Sequence, residues 1–202
     1  MGETTVKQRE ADLAALIGSR ICHDLISPIG AISNGLELLE LAGAAQGPEM
    51  GLIADSVAHA GARIRFFRLA YGAAGDQRVG RDEVISVLDA VHAGGRLRVD
   101  WAVTGDQPRT MVRLALLALQ CCETAMPMGG EVRIAETGGR WTVTAQSERL
   151  SLDERLWAAL DGGVADEITP ARVQFLLLPI AAAEAGRSVE VSGRADGVTI
   201  AF

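Results

Sequence analysis

Arg20-Ile21-Cys22-His23-Asp24-Leu25-Ile26-Ser27-Pro28 is the stretch from which the fold can be read. It lies in a run where apolar residues recur at Leu13, Ile17, Ile21, Leu25, Ile29, Ile32, Leu36 and Leu39. Steps of three and four are the signature of one apolar helix face. At about 100° per residue, His23 lies about 200° from both Ile21 and Leu25. It therefore points away from the stripe. Arg20, Ser27, Gly30 and Asn34 share that outward side. The face is small and polar, and leaves room for another molecule beside the imidazole.

Three neighbours set His23 apart from an ordinary surface histidine. Asp24 can accept a hydrogen bond from one ring nitrogen, which fixes the tautomer and raises the basicity of the other. Ser27, one turn on, reaches the same space. Pro28 cannot donate to the carbonyl of Asp24, so a bend is expected beside the histidine. An interior proline costs a helix about 3 kcal/mol.

His23-Asp24-Leu25-Ile26-Ser27-Pro28 resembles the H-[ED]-x-x-[STN]-P box of sensor kinases, where it marks the dimerisation and histidine phosphotransfer domain. The longer run from Ile21 to Leu39 is more similar to the ChpT-type histidine phosphotransferases of bacterial cell-cycle phosphorelays. The chain length and two-part layout fit that family as well. The resemblance implies that His23 is the nucleophile and phosphoryl carrier and that Asp24 orients its ring. Arg20 and Ser27 would support them. It implies partners that are receiver domains, of a hybrid histidine kinase and of response regulators. It also implies that Mg²⁺ sits in the receiver, with no cofactor or metal bound by this chain.

Composition agrees with one or two globular domains. The chain has 202 residues, 49% apolar and 4% aromatic, with a formal net charge of −7. No basic run suggests a nucleic-acid footprint. No apolar run approaches the roughly 18 residues of a membrane span, and no secretory signal is evident. Three cysteines, Cys22, Cys121 and Cys122, form no disulfide framework and read as reduced thiols of a cytoplasmic protein.

Residues 4–42 read as the first helix, and Gly43 to Pro48 as a turn in which Pro48 suits a first helical position. Residues 49–71 read as the second helix. Met50, Ile53, Val57, Ala60, Ile64, Phe67 and Tyr71 form a heptad-like seam, flanked by Arg63, Arg65 and Arg68. A short turn makes the pair an antiparallel hairpin. One hairpin cannot cover stripes on both its helices, so a homodimeric four-helix bundle is expected. The domain reading is therefore a phosphotransfer hairpin over 1–74 and an α/β domain over 80–202.

The second domain alternates elements. A helix is expected over 82–91 and a strand over 96–103, with Leu97, Val99 and Trp101 on one face. A helix to about 125 follows, then a hairpin of strands 131–136 and 141–145. Helices near 153–160 and 170–185 and a final hairpin, 188–192 with 198–202, complete it. These counts suggest a two-layer α/β sandwich on a mixed sheet. Its order resembles a degenerate histidine-kinase ATP-binding domain. The asparagine that holds Mg²⁺ in that family is missing from 114–125, where Gln120, Cys121 and Cys122 stand instead. The adenine-reading aspartate is missing from Gln146-Ser147-Glu148-Arg149-Leu150. Gly129-Gly130, Gly138-Gly139 and Gly162-Gly163 read as turns rather than phosphate loops.

The leading expectation is a phosphotransferase that relays phosphate between receiver aspartates through His23, without ATP. An ATP-dependent sensor kinase fragment and a non-catalytic dimeric receiver-binding adaptor are the alternatives. Receivers are expected to dock on Ser27, Gly30, Ala31 and Asn34 of the first helix, with Leu52 and Asp55 of the second. His59 and His92 have no neighbouring carboxylate in sequence and no proline, so they are not expected to carry phosphate.

Overall fold

The computed structural model describes residues 17, 20–21, 24–25, 27–39, 41, 48–72, 75–162, 168–194 and 197–202. His23, Cys22, Leu13 and most of the 43–48 turn lie outside the described residues. Contacts divide the chain into two compact units, Met1–Arg68 and Leu69–Phe202.

In the first unit, residues 27–39 form helix α1, and residues 17, 20, 21, 24, 25 and 41 are helical too. Helix α2 spans Pro48–Ala70 and begins on the proline, whose fixed φ and missing N–H suit a first turn. Glu49 in its first turn and Arg68 in its last complement the helix dipole. Two contacts give the antiparallel register. Asp24 meets Arg63, and Gly35 meets Ile53.

Gly35 is buried because the helices approach closely there. A Cβ on it would stand 2.6 Å from Ile53 Cγ1 and 3.5 Å from the carbonyl of Glu49. At Gly30 a Cβ would meet nothing within 4 Å. The two glycines should therefore respond with opposite signs. Gly35→Leu is expected to destabilise by about 1–3 kcal/mol through overpacking. Gly30→Ala is expected to stabilise by up to about 1 kcal/mol through helix propensity. Urea unfolding midpoints check both.

The stripes read from the sequence split into two sets. Ile32, Leu39, Ile53 and Ala60 are half-buried and Phe67 is buried, while Ser56, Ala62 and Phe66, outside the seam read for the second helix, are buried as well. Ile29 and Leu36 are 54% and 51% exposed, and Met50, Val57 and Ile64 are 45%, 54% and 54% exposed. Both exposed sets repeat every seven residues.

The second unit is built on a five-stranded sheet in the order β2-β4-β5-β7-β6. The strands are β2 Leu97–Trp101, β4 Gly130–Thr137, β5 Arg140–Gln146, β6 Glu190–Arg194 and β7 Gly197–Ala201. β2 pairs parallel with β4, and every other neighbouring pair is antiparallel. Between them come α3 (Arg81–His92), α4 (Arg109–Ala125), α5 (Glu154–Ala158) and α6 (Gln174–Glu184). Alternation puts Trp101, Val132, Ile134, Trp141, Val143, Ala145, Val198 and Ile200 on the buried face. Trp101 meets Trp141 edge-on with ring centroids 5.7 Å apart, and Trp141 stacks on Phe202. Helix α4 packs on β5 and against α6, and is buried nearly all round. The other sheet face is polar, with Arg98–Glu131 and Asp100–Arg133 ion pairs across β2 and β4. This is a two-layer α/β arrangement.

The sequence reading misses one small element. Arg78–Val79 (β1) pairs antiparallel with Gln107–Pro108 (β3), at positions outside every strand expected from the sequence. Two-residue strands carry no alternation to read. The helix expected over 170–185 is a 3₁₀ turn at Pro170–Arg172 followed by α6, which carries Pro179 within it.

Candidate functional site

Asp24 is the described residue next in sequence to His23, and its side chain is only 9% exposed. A carboxylate that far from water needs charged partners. Arg20, four residues back on the same helix, donates from Nε to Oδ2 at 3.0 Å. Arg63, on α2, donates from Nη1 to the same oxygen at 3.4 Å. Two guanidinium groups on two helices thus converge on one carboxylate oxygen. Asp24 and Arg20 were expected at the site from the sequence. Arg63 was seen only as a charge beside the seam. Its meeting with Asp24 depends on the hairpin register across 39 positions, which local periodicity does not carry.

Of the expected docking residues, Ser27, Gly30 and Asn34 are exposed on α1, and Ala31 is half-buried. Leu52 and Asp55 are exposed on α2. The Gly35–Ile53 contact sets the part of α2 that holds Leu52 and Asp55 at the level of the Asn34 turn.

The other two histidines differ in setting. His59 is exposed on α2. His92 ends α3, and both its ring nitrogens are engaged. Nδ1 is 2.8 Å from the carbonyl of Leu88, and Nε2 is 2.7 Å from Glu123 Oε1. His92 therefore does have a carboxylate, supplied from α4 rather than from its own helix. With an oxygen against each nitrogen, neither is open to an incoming phosphoryl group.

Gln120 and Gln174 are buried polar residues that meet between α4 and α6. Gln120 accepts from the Tyr71 hydroxyl at 2.9 Å. Gln174 Nε2 donates to the Gln120 carbonyl at 3.4 Å and to Thr124 Oγ1 at 3.1 Å. Cys121 and Cys122 are fully buried, and burial pushes both thiols up. The glycine-rich turn is bonded within the fold. Gly129 donates to Met126 O and Gly130 to Arg96 O. A Cβ on Gly129 would stand 2.4 Å from Arg96 O, so the left-handed turn and the close approach both require glycine. Among the described residues, no group of three or more His, Cys, Asp or Glu could hold a metal. No described helix is long and apolar enough to cross a membrane.

Residues 81–197 match the family model described as the histidine phosphotransferase C-terminal domain. The chain belongs to the histidine phosphotransferase family. The protein phosphotransferase ChpT of Brucella abortus (strain 2308) is 34% identical to it over 195 residues, covering 93% of each chain. A bacterial phosphotransferase of known structure superposes with a TM-score of 0.78 at 33% identity, covering 95% of both chains. The resemblance read from residues 20–39 therefore extends over nearly the whole chain of this histidine phosphotransferase, both units included.

Proposed function

We propose that this histidine phosphotransferase relays a phosphoryl group between receiver aspartates through His23. The observation that supports the reading best is the Arg20–Asp24–Arg63 cluster beside His23 in sequence. Its two guanidinium groups bring positive charge to the place where an incoming acyl phosphate brings negative charge. A neutral imidazole nitrogen attacks phosphorus in line as the receiver's aspartate leaves with the electrons of the P–O bond. The ring becomes a phospho-imidazolium, and Asp24 is proposed to accept its remaining N–H. An aspartate of a second receiver then attacks phosphorus, and the N–P electrons return to the ring. Such transfer depends on positioning and charge neutralisation. The Mg²⁺ it needs belongs to the receiver. Phosphotransfer profiling tests the reading. Candidate receivers of hybrid kinases and response regulators, loaded with radiolabelled phosphate, should pass label to this chain and retrieve it. Transfer to none of them would refute it.

The protein is proposed to act as a cytoplasmic homodimer. The half-exposed heptads of α1 and α2 support a second copy as the cover of a four-helix bundle.

Docking is proposed on Ser27, Gly30, Ala31 and Asn34 with Leu52 and Asp55. Gly30→Arg and Ala31→Arg are expected to slow both loading and unloading of the histidine by steric exclusion, with dimerisation kept. Wild-type transfer rates in folded, dimeric variants would place docking elsewhere.

The kinase alternative needs ATP in the second unit. The Gln120 amide is bonded to Tyr71, and the Gly129 and Gly130 N–H groups are bonded to backbone, where a polyphosphate needs open donors. Millimolar Mg-ATP is expected to leave the melting temperature unchanged, because a ligand stabilises only as RT ln(1 + [L]/Kd). A saturable upward shift would favour the kinase.

A further inference from the structure

We infer that Arg63 is a positioning residue of the phosphotransfer site, acting through Asp24 on the histidine beside it. The inference rests on the reading of His23 as the phosphoryl carrier.

The contact with Arg20 is an i, i+4 pair within one helix and ties nothing together across the hairpin. Arg63 reaches the same Oδ2 from α2. Held from two directions, the carboxylate has its plane and rotamer fixed, and the orientation of its second oxygen follows. That orientation decides how the carboxylate meets a neighbouring imidazole N–H. Arg63 also adds a second positive charge at Asp24, beside that of Arg20.

Helix cohesion does not need this arginine. Ala62, Phe66 and Phe67 are buried beside it. Arg63 itself is 42% exposed, and when it is replaced Arg20 stays on the same Oδ2, so the Asp24 carboxylate keeps a charged partner. Its effect should therefore be seen in the reaction rather than in the fold. Lysine keeps the charge but not the reach and direction of the Nη1 donor, so it should replace Arg63 only in part.

The experiment uses the full chain and a receiver loaded with radiolabelled phosphate. Arg63→Gln is expected to lower the transfer rate at saturating receiver about tenfold or more, the scale of a lost charge-assisted hydrogen bond, with KM little changed. Arg63→Lys should recover part of the rate. In an Asp24→Asn background, Arg63→Gln should add no further loss. The ¹⁵N shifts of the His23 ring, assigned by their absence in His23→Ala, should move toward a tautomer mixture in Arg63→Gln. Melting temperature and dimerisation should stay as in the wild type.

Wild-type rates in Arg63→Gln would overturn the inference. So would a full further loss in the Asp24→Asn background, which would mean that Arg63 acts without Asp24. A slow variant with a lowered melting temperature and an unmoved His23 spectrum would make the residue structural, and also overturn it. Failure of the underlying reading looks different, because His23→Ala would then still take up label.

Discussion

Alanine at position 23 is expected to abolish phosphorylation of the chain, with loss of transfer of about a thousandfold or more, while the dimer stays intact. In the proposed relay the lost group is the nucleophile itself, so no neighbour can compensate for it. His92 is a poor substitute because both its ring nitrogens are bonded, one to Leu88 and one to Glu123. His59 is exposed on α2 and is the real competitor. The measurement is therefore a triple comparison of His23→Ala, His59→Ala and His92→Ala, each given the same phosphorylated receiver. Label on the wild type should be acid-labile and base-stable. It should vanish in the first variant and persist in the other two. Label that survived in His23→Ala and was lost in His59→Ala would move the site to α2.

Much of the architecture could be read because its signals are local. Leu97, Val99 and Trp101 alternate, as do Val132 with Ile134, Trp141 with Val143, and Val198 with Ile200. Each of these runs is a strand of the sheet. Which strand pairs with which is not a local property. Nothing in either run says that Leu97 lies beside Gly130 in a parallel ladder. Helix α4 buries Met111, Leu114, Leu117 and Ala118, the face its helical spacing puts inward, but it buries more than that face. Leu116 and Leu119 are fully buried too, so its period does not mark all that is buried. The burial of Gln120 and its bond to Tyr71 were out of reach for the same reason. At the site, the sequence gives the residues of one helix, Arg20 and Asp24. It does not give Arg63, which arrives through the register of the hairpin. What periodicity cannot reveal here is contact between elements, and the site is built on such a contact.

Glutamate at both Val57 and Ile64 is expected to turn a dimer into a monomer at micromolar concentrations. The two positions lie seven residues apart with Met50 on α2, and each is 54% exposed in the single chain. Ile29 and Leu36 make the same half-exposed pattern on α1. Five large apolar side chains at heptad spacing on one hairpin are what a bundle partner covers. Each side chain taken from half-exposed to covered contributes on the order of 1 kcal/mol. A two-fold axis counts every one of them twice. Charge at Val57 and Ile64 removes that gain and adds four buried carboxylates to the assembly. The hairpin's own contacts, Gly35 with Ile53 and Asp24 with Arg63, do not involve the two substituted residues. Each chain should therefore keep its helices and lose its partner. Analytical ultracentrifugation separates the outcomes. A dimeric wild type and a monomeric, helical Val57→Glu/Ile64→Glu variant support the four-helix bundle. A variant that stays dimeric would place the interface on another face. A wild type that is itself monomeric would leave the exposed heptads to a different partner and refute the bundle outright.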